Sequence, residues 1–118
     1  MNHNKFNIIG GNSKVLRNVN RGVILNIIRV MQPISRIQIA KMTGLNKSTV
    51  SSIVSDLLVE DLIYEKVNED LNVGRNPINL SIKLRKHIVG AINIDSSITR
   101  FAIADIDGSF IGSGQINT

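Results

Sequence analysis

The sequence contains no cysteine and only two histidines, His3 and His87. The missing thiols exclude disulfide frameworks and thiolate metal sites, and two histidines so far apart in sequence do not suggest a metal cluster. We therefore predict no metal and no cofactor. His87 follows Lys86 in a basic stretch, and we interpret it as a solvated linker residue rather than a ligand.

Long apolar runs are absent as well. No uninterrupted run approaches the roughly 18 residues of a membrane span, and the first residues lack the apolar core of a signal peptide. These absences predict a cytoplasmic protein that does not bind membranes. The length of 118 residues allows one ordinary domain, or one small domain with part of another, since domains contain about 100–200 residues.

Acidic residues are missing from the first half of the chain. Residues 1–55 contain eight Lys and Arg and no Asp or Glu, a local charge of +8, whereas residues 56–118 carry a charge of −3. A basic region attracts polyanions, and nucleic acid is the usual one because each neutralised phosphate releases counterions. A merely soluble basic surface explains the charge alone equally well.

Apolar residues recur at helical spacing between residues 13 and 31. Every fourth position is apolar, at Val15, Val19, Val23 and Ile27, with Leu16, Ile24 and Ile28 beside them. This stripe predicts an amphipathic helix. Three basic residues share a second face of that helix: Lys14, Arg17 and Arg21. That face is either ordinary solvated surface or a contact for a phosphate backbone, and we favour the phosphate contact.

Two shorter helices are predicted after it. Ser35 and Gln38 have the spacing of a capping box, so a helix begins at Arg36 and ends near Gly44, which can adopt the left-handed conformation that closes a helix. Asn46 can cap a second helix that continues to about Glu60. Two short helices joined by a three-residue turn with Gly form a helix-turn-helix. The alternative is an αα-hairpin from a helical bundle.

The outer face of the second short helix favours the helix-turn-helix. It carries short hydrogen-bonding groups that contribute little to packing but can enter a major groove. Lys47 lies at the helix N-terminus, where the dipole disfavours a cation, and a phosphate or guanine partner would explain it. The candidate DNA-binding residues of this motif are Ser35, Arg36, Asn46, Lys47, Ser48, Thr49, Ser51 and Ser52.

After the second short helix, apolar residues recur at every second position. Residues 62–67 and 77–84 read as strands, and the turn-rich segment between them completes a hairpin. A hairpin after a recognition helix is a wing. Arg75, near its tip, is a candidate for a minor-groove or phosphate contact, although a lone loop cation can equally be solvated surface.

These segments resemble the N-terminal winged helix-turn-helix of the ROK family of transcriptional repressors, which includes xylose and N-acetylglucosamine repressors. The resemblance rests on NxxR at residues 18–21, on SR-x-x-IA-x-x-TGLNKSTVS at residues 35–51 and on GR-x-P at residues 74–77. It implies a sugar-responsive repressor that binds double-stranded operator DNA as a homodimer. The abundance of Ile, Asn and Lys favours a xylose-type repressor from an organism with AT-rich coding.

Residues 85–118 contain three apolar segments, the last two joined by a tight turn at Asp107-Gly108. They resemble the first strands of the ROK sugar-binding domain, which is built like sugar kinases of the actin and hexokinase type. In kinase members two glycines follow the strand-ending Asp, whereas Asp95 is followed by Ser96 and Ser97. Phosphoryl transfer is therefore not supported, and a sugar effector is expected only for a full-length form.

We therefore predict an α+β fold. Residues 1–84 form a winged helix-turn-helix of three helices and a two-stranded wing, and residues 85–118 form a three-stranded antiparallel β-meander from a truncated actin/hexokinase-like domain. The predicted protein is a DNA-binding repressor and not an enzyme. Two alternatives remain, an N-terminal fragment of a ROK kinase-like enzyme and a helix-turn-helix used for protein contacts. Any dimer of the chain is expected to pair through residues 88–117 or the first helix, because the strands leave open edges.

Overall fold

The computed structural model describes residues 13–67 and 77–118. Three helices come first: α1 (Ser13–Met31), α2 (Arg36–Thr43) and α3 (Lys47–Val59). Five strands follow: β1 (Ile63–Val67), β2 (Ile78–Ile82), β3 (Ile88–Ile94), β4 (Ile98–Asp105) and β5 (Phe110–Asn117). The first two strands pair with each other, and the last three form a separate sheet. This architecture confirms the predicted α+β fold, with three helices, a wing and a meander.

Local hydrogen bonds set the limits of α2. The Ser35 hydroxyl accepts a bond from the Gln38 amide, and the Gln38 side chain accepts one from the Ser35 amide, so the predicted capping box is confirmed. At the other end Gly44 has φ 72, and its N–H donates to the Ala40 carbonyl at 2.9 Å. Only glycine adopts this left-handed conformation without a steric cost, which explains why the turn lies here.

The α3 helix begins as its sequence indicates. The Asn46 side chain accepts a hydrogen bond from the Thr49 amide at 2.8 Å and caps the first turn. The helix ends at Val59, where the Glu60 N–H closes the last turn by donating to the Asp56 carbonyl at 3.0 Å. Residues 36–59 therefore form the predicted pair of short helices around a turn containing glycine.

One apolar core joins the helices to the wing. Its fully buried side chains come from every element between α1 and β2: Ile24, Ile28, Ile39, Val50, Ile53, Val54, Leu57, Ile63 and Leu80. Burying an aliphatic side chain of this size contributes about 1.5–3 kcal/mol. The core therefore anchors α3 from its inner side and leaves its outer side exposed.

The predicted apolar stripe of α1 contacts the core through its C-terminal half. Ile24 and Ile28 face the core, whereas Val19 and Val23 remain about half exposed, at 50% and 46%. Ile27 is also packed against this core, partly buried. The spacing of four residues alone does not show which end of the stripe the core covers.

The wing strands β1 and β2 are antiparallel, with Ile63 opposite Ile82 and Val67 opposite Ile78. Ile34, just before α2, pairs with Leu80 through two backbone hydrogen bonds and so forms an isolated antiparallel β-bridge to strand β2 of the wing. Strand β2 ends at Ile82 rather than at residue 84, and Leu84 is exposed. The predicted connection at residues 68–76, including Arg75, lies outside the described residues.

The meander follows the order β3-β4-β5, with both pairs antiparallel. The predicted turn lies between β4 and β5, where Gly108 has φ 92 and donates its N–H to the Asp105 carbonyl at 2.9 Å. Apolar side chains remain exposed along these strands, among them Ile92 and Ile94.

A short segment connects the wing to the meander. Lys83 and Lys86 form ion pairs with Asp61, immediately beyond α3. The buried carboxylate of Asp105 accepts a hydrogen bond from the Arg85 amide at 2.8 Å, which attaches this segment to β4. His87 lies in this linker as interpreted, partly exposed, with its Nε2 3.0 Å from the Glu60 carbonyl oxygen. The predicted domain boundary between residues 84 and 85 falls inside this segment and stays a prediction.

Candidate DNA-binding surface

The α3 helix has two distinct sides. Its inner side is buried in the core through Val50, Ile53, Val54 and Leu57. Its outer side is exposed and consists largely of short polar groups, Lys47, Ser48, Ser51, Ser52 and Ser55, and Thr49 is half-buried at its margin. We call Lys47, Ser48, Ser51, Ser52 and Ser55 the hydroxyl face. This face projects away from the body that holds the helix, as a groove-binding helix requires.

Several polar groups of this region already have partners within the chain. The Asn46 side-chain oxygen accepts bonds from the Thr49 amide and the Ser48 hydroxyl, both at 2.8 Å. The Ser55 hydroxyl donates to the Ser51 carbonyl at 2.8 Å. Asn46 therefore serves first as a helix cap, and any base contact of its side chain must be compatible with that bond.

The basic residues of α1 occupy an unexpected environment. Arg17 Nη2 lies 2.5 Å from Asp56 Oδ2 and also donates to the Ser52 hydroxyl at 3.1 Å. Arg21 pairs with the Glu60 carboxylate. These contacts, which we call the α1–α3 ion pairs, are half-exposed. The predicted phosphate-binding face of α1 therefore includes two arginines directed at α3, while Lys14 is exposed near the start of the helix.

The start of α2 is similarly engaged. Ser35 is half-buried, and its hydroxyl accepts the hydrogen bond of the capping box. Arg36 Nη2 lies 2.7 Å from Glu65 Oε1 and so connects α2 to the wing strand β1. Both residues form the start of the first helix of the helix-turn-helix, and their contact with DNA stays a prediction.

Ion pairs offset part of the positive charge of the first half of the chain. Arg17, Arg21 and Arg36 each face a carboxylate from residues 56–65. Within residues 13–67 and 77–118, no ion pair involves Lys41 or Lys47. Lys47 therefore contributes an uncompensated charge at the edge of the hydroxyl face. The charge of +8 counted along the sequence overstates what this surface presents.

Asp56 and Glu60 pair with arginines at this surface, although they were not among the predicted site residues. Their spacing carries the signal: two carboxylates four residues apart on α3 match two arginines four residues apart on α1. Such pairs lie on one face of each helix. That they meet depends on how the helices pack, which local patterns do not reveal.

In the part of the chain that the structure describes, no group of three or more His, Cys, Asp or Glu is arranged to hold a metal ion. No helix among those residues is long and apolar enough to cross a membrane. The pKa of Asp61 is lowered by hydrogen bonds from Lys83 and Lys86, and the pKa of Asp107 by hydrogen bonds from Ser109. Neither carboxylate belongs to the hydroxyl face.

Comparison with known proteins gives consistent relatives. No protein-family model matches the chain. The xylose repressor of Bacillus spizizenii is 33% identical over 96 residues, which cover 81% of this chain and 25% of the repressor. The DNA-binding transcriptional dual regulator NagC of Escherichia coli K12 is 30% identical over 97 residues, or 80% of this chain and 24% of that protein. The chain thus spans about a quarter of the length of these relatives.

The fold has a solved counterpart. A ROK family transcriptional regulator, described as a homolog of the E. coli MLC protein, superposes with a TM-score of 0.69 at 22% identity. The match covers 86% of this chain and 26% of the regulator. The chain is thus similar in sequence to the named repressors and similar in fold to a ROK family transcriptional regulator.

Proposed function

We propose that this chain is the DNA-binding part of a sugar-responsive transcriptional repressor and that α3 reads operator sequence in the major groove. The single observation that carries the proposal is the hydroxyl face, an exposed polar side on a helix whose other side is buried in the core. A major groove about 12 Å wide admits one α-helix. Short serine side chains let the helix approach the base edges closely.

The residues divide into two roles. Lys47, Ser48 and Ser51 lie in the first turns of α3, the part of a recognition helix that contacts bases. Thr49 and Ser52 flank them, and Asn46 fixes the start of the helix. Contacts with the phosphate backbone are assigned to Lys14 and to the start of α2 at Ser35 and Arg36, with Arg75 on the wing reaching the minor groove. Backbone contacts position the protein and base contacts specify the sequence.

The kind of regulator is inferred from the relatives. Two of them are named a xylose repressor and NagC, and N-acetylglucosamine repressors match to the same extent. We infer a repressor of a sugar-utilisation operon, of the xylose type, that acts on DNA as a homodimer. Because the chain spans a quarter of those proteins, binding of the sugar effector is assigned to a full-length form. Ser96 and Ser97 after Asp95 argue against phosphoryl transfer.

The experiment is selection of bound duplexes from random DNA by the full chain, followed by titration of the enriched duplex and a scrambled one. We expect enrichment of a defined sequence and an affinity that falls steeply with salt, by about 0.9 in log–log slope for each neutralised phosphate. A chain that enriches no sequence, and whose binding is flat between low and moderate salt, would instead use its helix-turn-helix for protein contacts.

A further inference from the structure

We infer that Arg17 and Arg21 are positioning residues that hold the recognition helix through Asp56 and Glu60, rather than phosphate contacts. The inference rests on the proposed function, because it concerns how α3 is aimed at DNA. Each arginine crosses from α1 to a carboxylate on the C-terminal part of α3. Arg17 also donates to Ser52, a member of the hydroxyl face, at 3.1 Å.

The pairing order describes how the helices meet. Arg17 pairs with Asp56 and Arg21 with Glu60, so a step of four residues along α1 matches a step of four along α3. One helical turn of α1 is therefore in register with one turn of α3. Two pairs in register restrain sliding and rotation between the helices more than a single pair would.

The position of the carboxylates supports this role. Asp56 lies in the last turn of α3 and Glu60 is its C-cap residue. The negative end of the helix dipole disfavours anions there. A carboxylate one turn beyond Ser52 would also repel the phosphates that flank a groove occupied by the hydroxyl face. Both costs are offset when an arginine pairs with each carboxylate.

The residues are also distributed unevenly along the chain. Residues 1–55 contain no Asp or Glu, and Asp56 is the first acidic residue of the sequence. The first two acidic residues of the chain, Asp56 and Glu60, are therefore the two that pair with arginines of α1. Exposed ion pairs contribute little to stability, so loss of one α1–α3 ion pair is expected to change the free energy of unfolding only slightly.

The two roles predict opposite effects of Asp56→Asn. If Arg17 contacted phosphate, removal of Asp56 would release it, strengthen binding to every duplex and steepen the salt dependence. If Arg17 positions α3, the substitution lowers the ratio of cognate to scrambled affinity, even though it removes a negative charge near DNA. Asp95→Asn is the matched control, since it removes the same charge from the turn between β3 and β4.

The test uses the full chain and the duplex that the wild type selects. We expect Arg17→Ala and Asp56→Asn each to lower the cognate-to-scrambled ratio about tenfold, within the range of coupled contacts. The exchange Arg17→Asp with Asp56→Arg should restore most of the ratio, and Asp95→Asn should leave it unchanged. Thermal unfolding of each variant is measured in parallel, and we expect small changes because the pairs are half-exposed.

The opposite pattern would overturn the inference. In that case Asp56→Asn leaves the ratio intact, Arg17→Ala weakens both duplexes by the same factor with a salt slope reduced by about 0.9, and the exchange variant restores nothing. Failure of the proposed function has a different signature, because the wild-type chain would then select no duplex at all. The same design applies to Arg21 and Glu60.

Discussion

The Asn46 side-chain oxygen lies 2.8 Å from the Thr49 amide nitrogen and satisfies a donor in the first turn of α3 that no helical carbonyl can reach. Asn46→Ala removes this bond and should lower the free energy of unfolding by about 1 kcal/mol. Because the start of α3 carries the proposed base contacts, affinity for the selected duplex should fall as well. Urea unfolding and duplex titration measure the two effects.

Asn46→Asp separates capping from DNA binding. Aspartate retains the acceptor and its charge is favourable at a helix N-terminus, so stability should be kept or raised. The same charge would face phosphates and weaken binding to all duplexes. If Asn46→Ala unfolded at the wild-type urea concentration, the cap would contribute nothing to the stability of this helix.

Gly44 and Gly22 form a matched pair for testing the turn. An added Cβ would meet no atom within 4 Å at either position, but Gly44 has φ 72, whereas Gly22 lies within α1. Gly44→Ala should destabilise the fold by about 1–2 kcal/mol, the cost of a left-handed conformation with a side chain. Gly22→Ala should stabilise it by about 0.5–1 kcal/mol, because alanine is the better helix former. Thermal or urea unfolding would show effects of opposite sign, and equal effects would exclude the backbone explanation.

These local features were predictable because their causes are local. The capping box of Ser35, the cap at Asn46 and the left-handed Gly44 depend on residues within a few positions of one another, and α2 and α3 begin where those signals lie. The alternation of the wing strands is equally local. The nature and limits of most elements therefore follow from sequence.

Contacts between residues distant in sequence were harder to predict from the sequence. Ile24 and Ile28 of α1 are buried in the core, whereas Val19 and Val23 of the same apolar stripe remain exposed. Arg17 and Arg21 appeared to be available for phosphate, yet the packing of α1 on α3 places carboxylates beside them. Both outcomes depend on the orientation of helices distant in sequence, and residue spacing does not encode that orientation.

Lys47 and Ser51 test the proposed base contacts. Lys47→Ala and Ser51→Ala should each cost about 1–3 kcal/mol on the selected duplex and much less on scrambled DNA, so the specificity ratio narrows. Arg100→Ala is the control, since it removes an exposed positive charge from β4, away from α3. A competition assay at matched salt measures both affinities. If the α3 substitutions weakened both duplexes equally, this helix would contact DNA without reading its sequence.

Asp61 gives a prediction about pH. Hydrogen bonds from Lys83, at 2.6 Å, and from Lys86 lower the pKa of this carboxyl below its usual value of about 3.9. The ionised form is therefore favoured in the folded state. A lowered folded-state pKa contributes stability that is present above the unfolded-state pKa and is lost as pH falls through the folded-state pKa.

Asp61→Asn is the suitable variant, because Asp61 has φ 64 and asparagine tolerates this left-handed conformation. The wild type should be more stable than the variant at neutral pH, and the difference should decline below about pH 4 and vanish at lower pH. Added salt should shrink the difference, since the pairs with Lys83 and Lys86 are partly exposed. Urea unfolding at a series of pH values measures it, and Lys83→Gln should reduce the same difference. A difference that stayed constant from neutral pH to pH 2 would show that Asp61 acts through its backbone conformation and not through its charge.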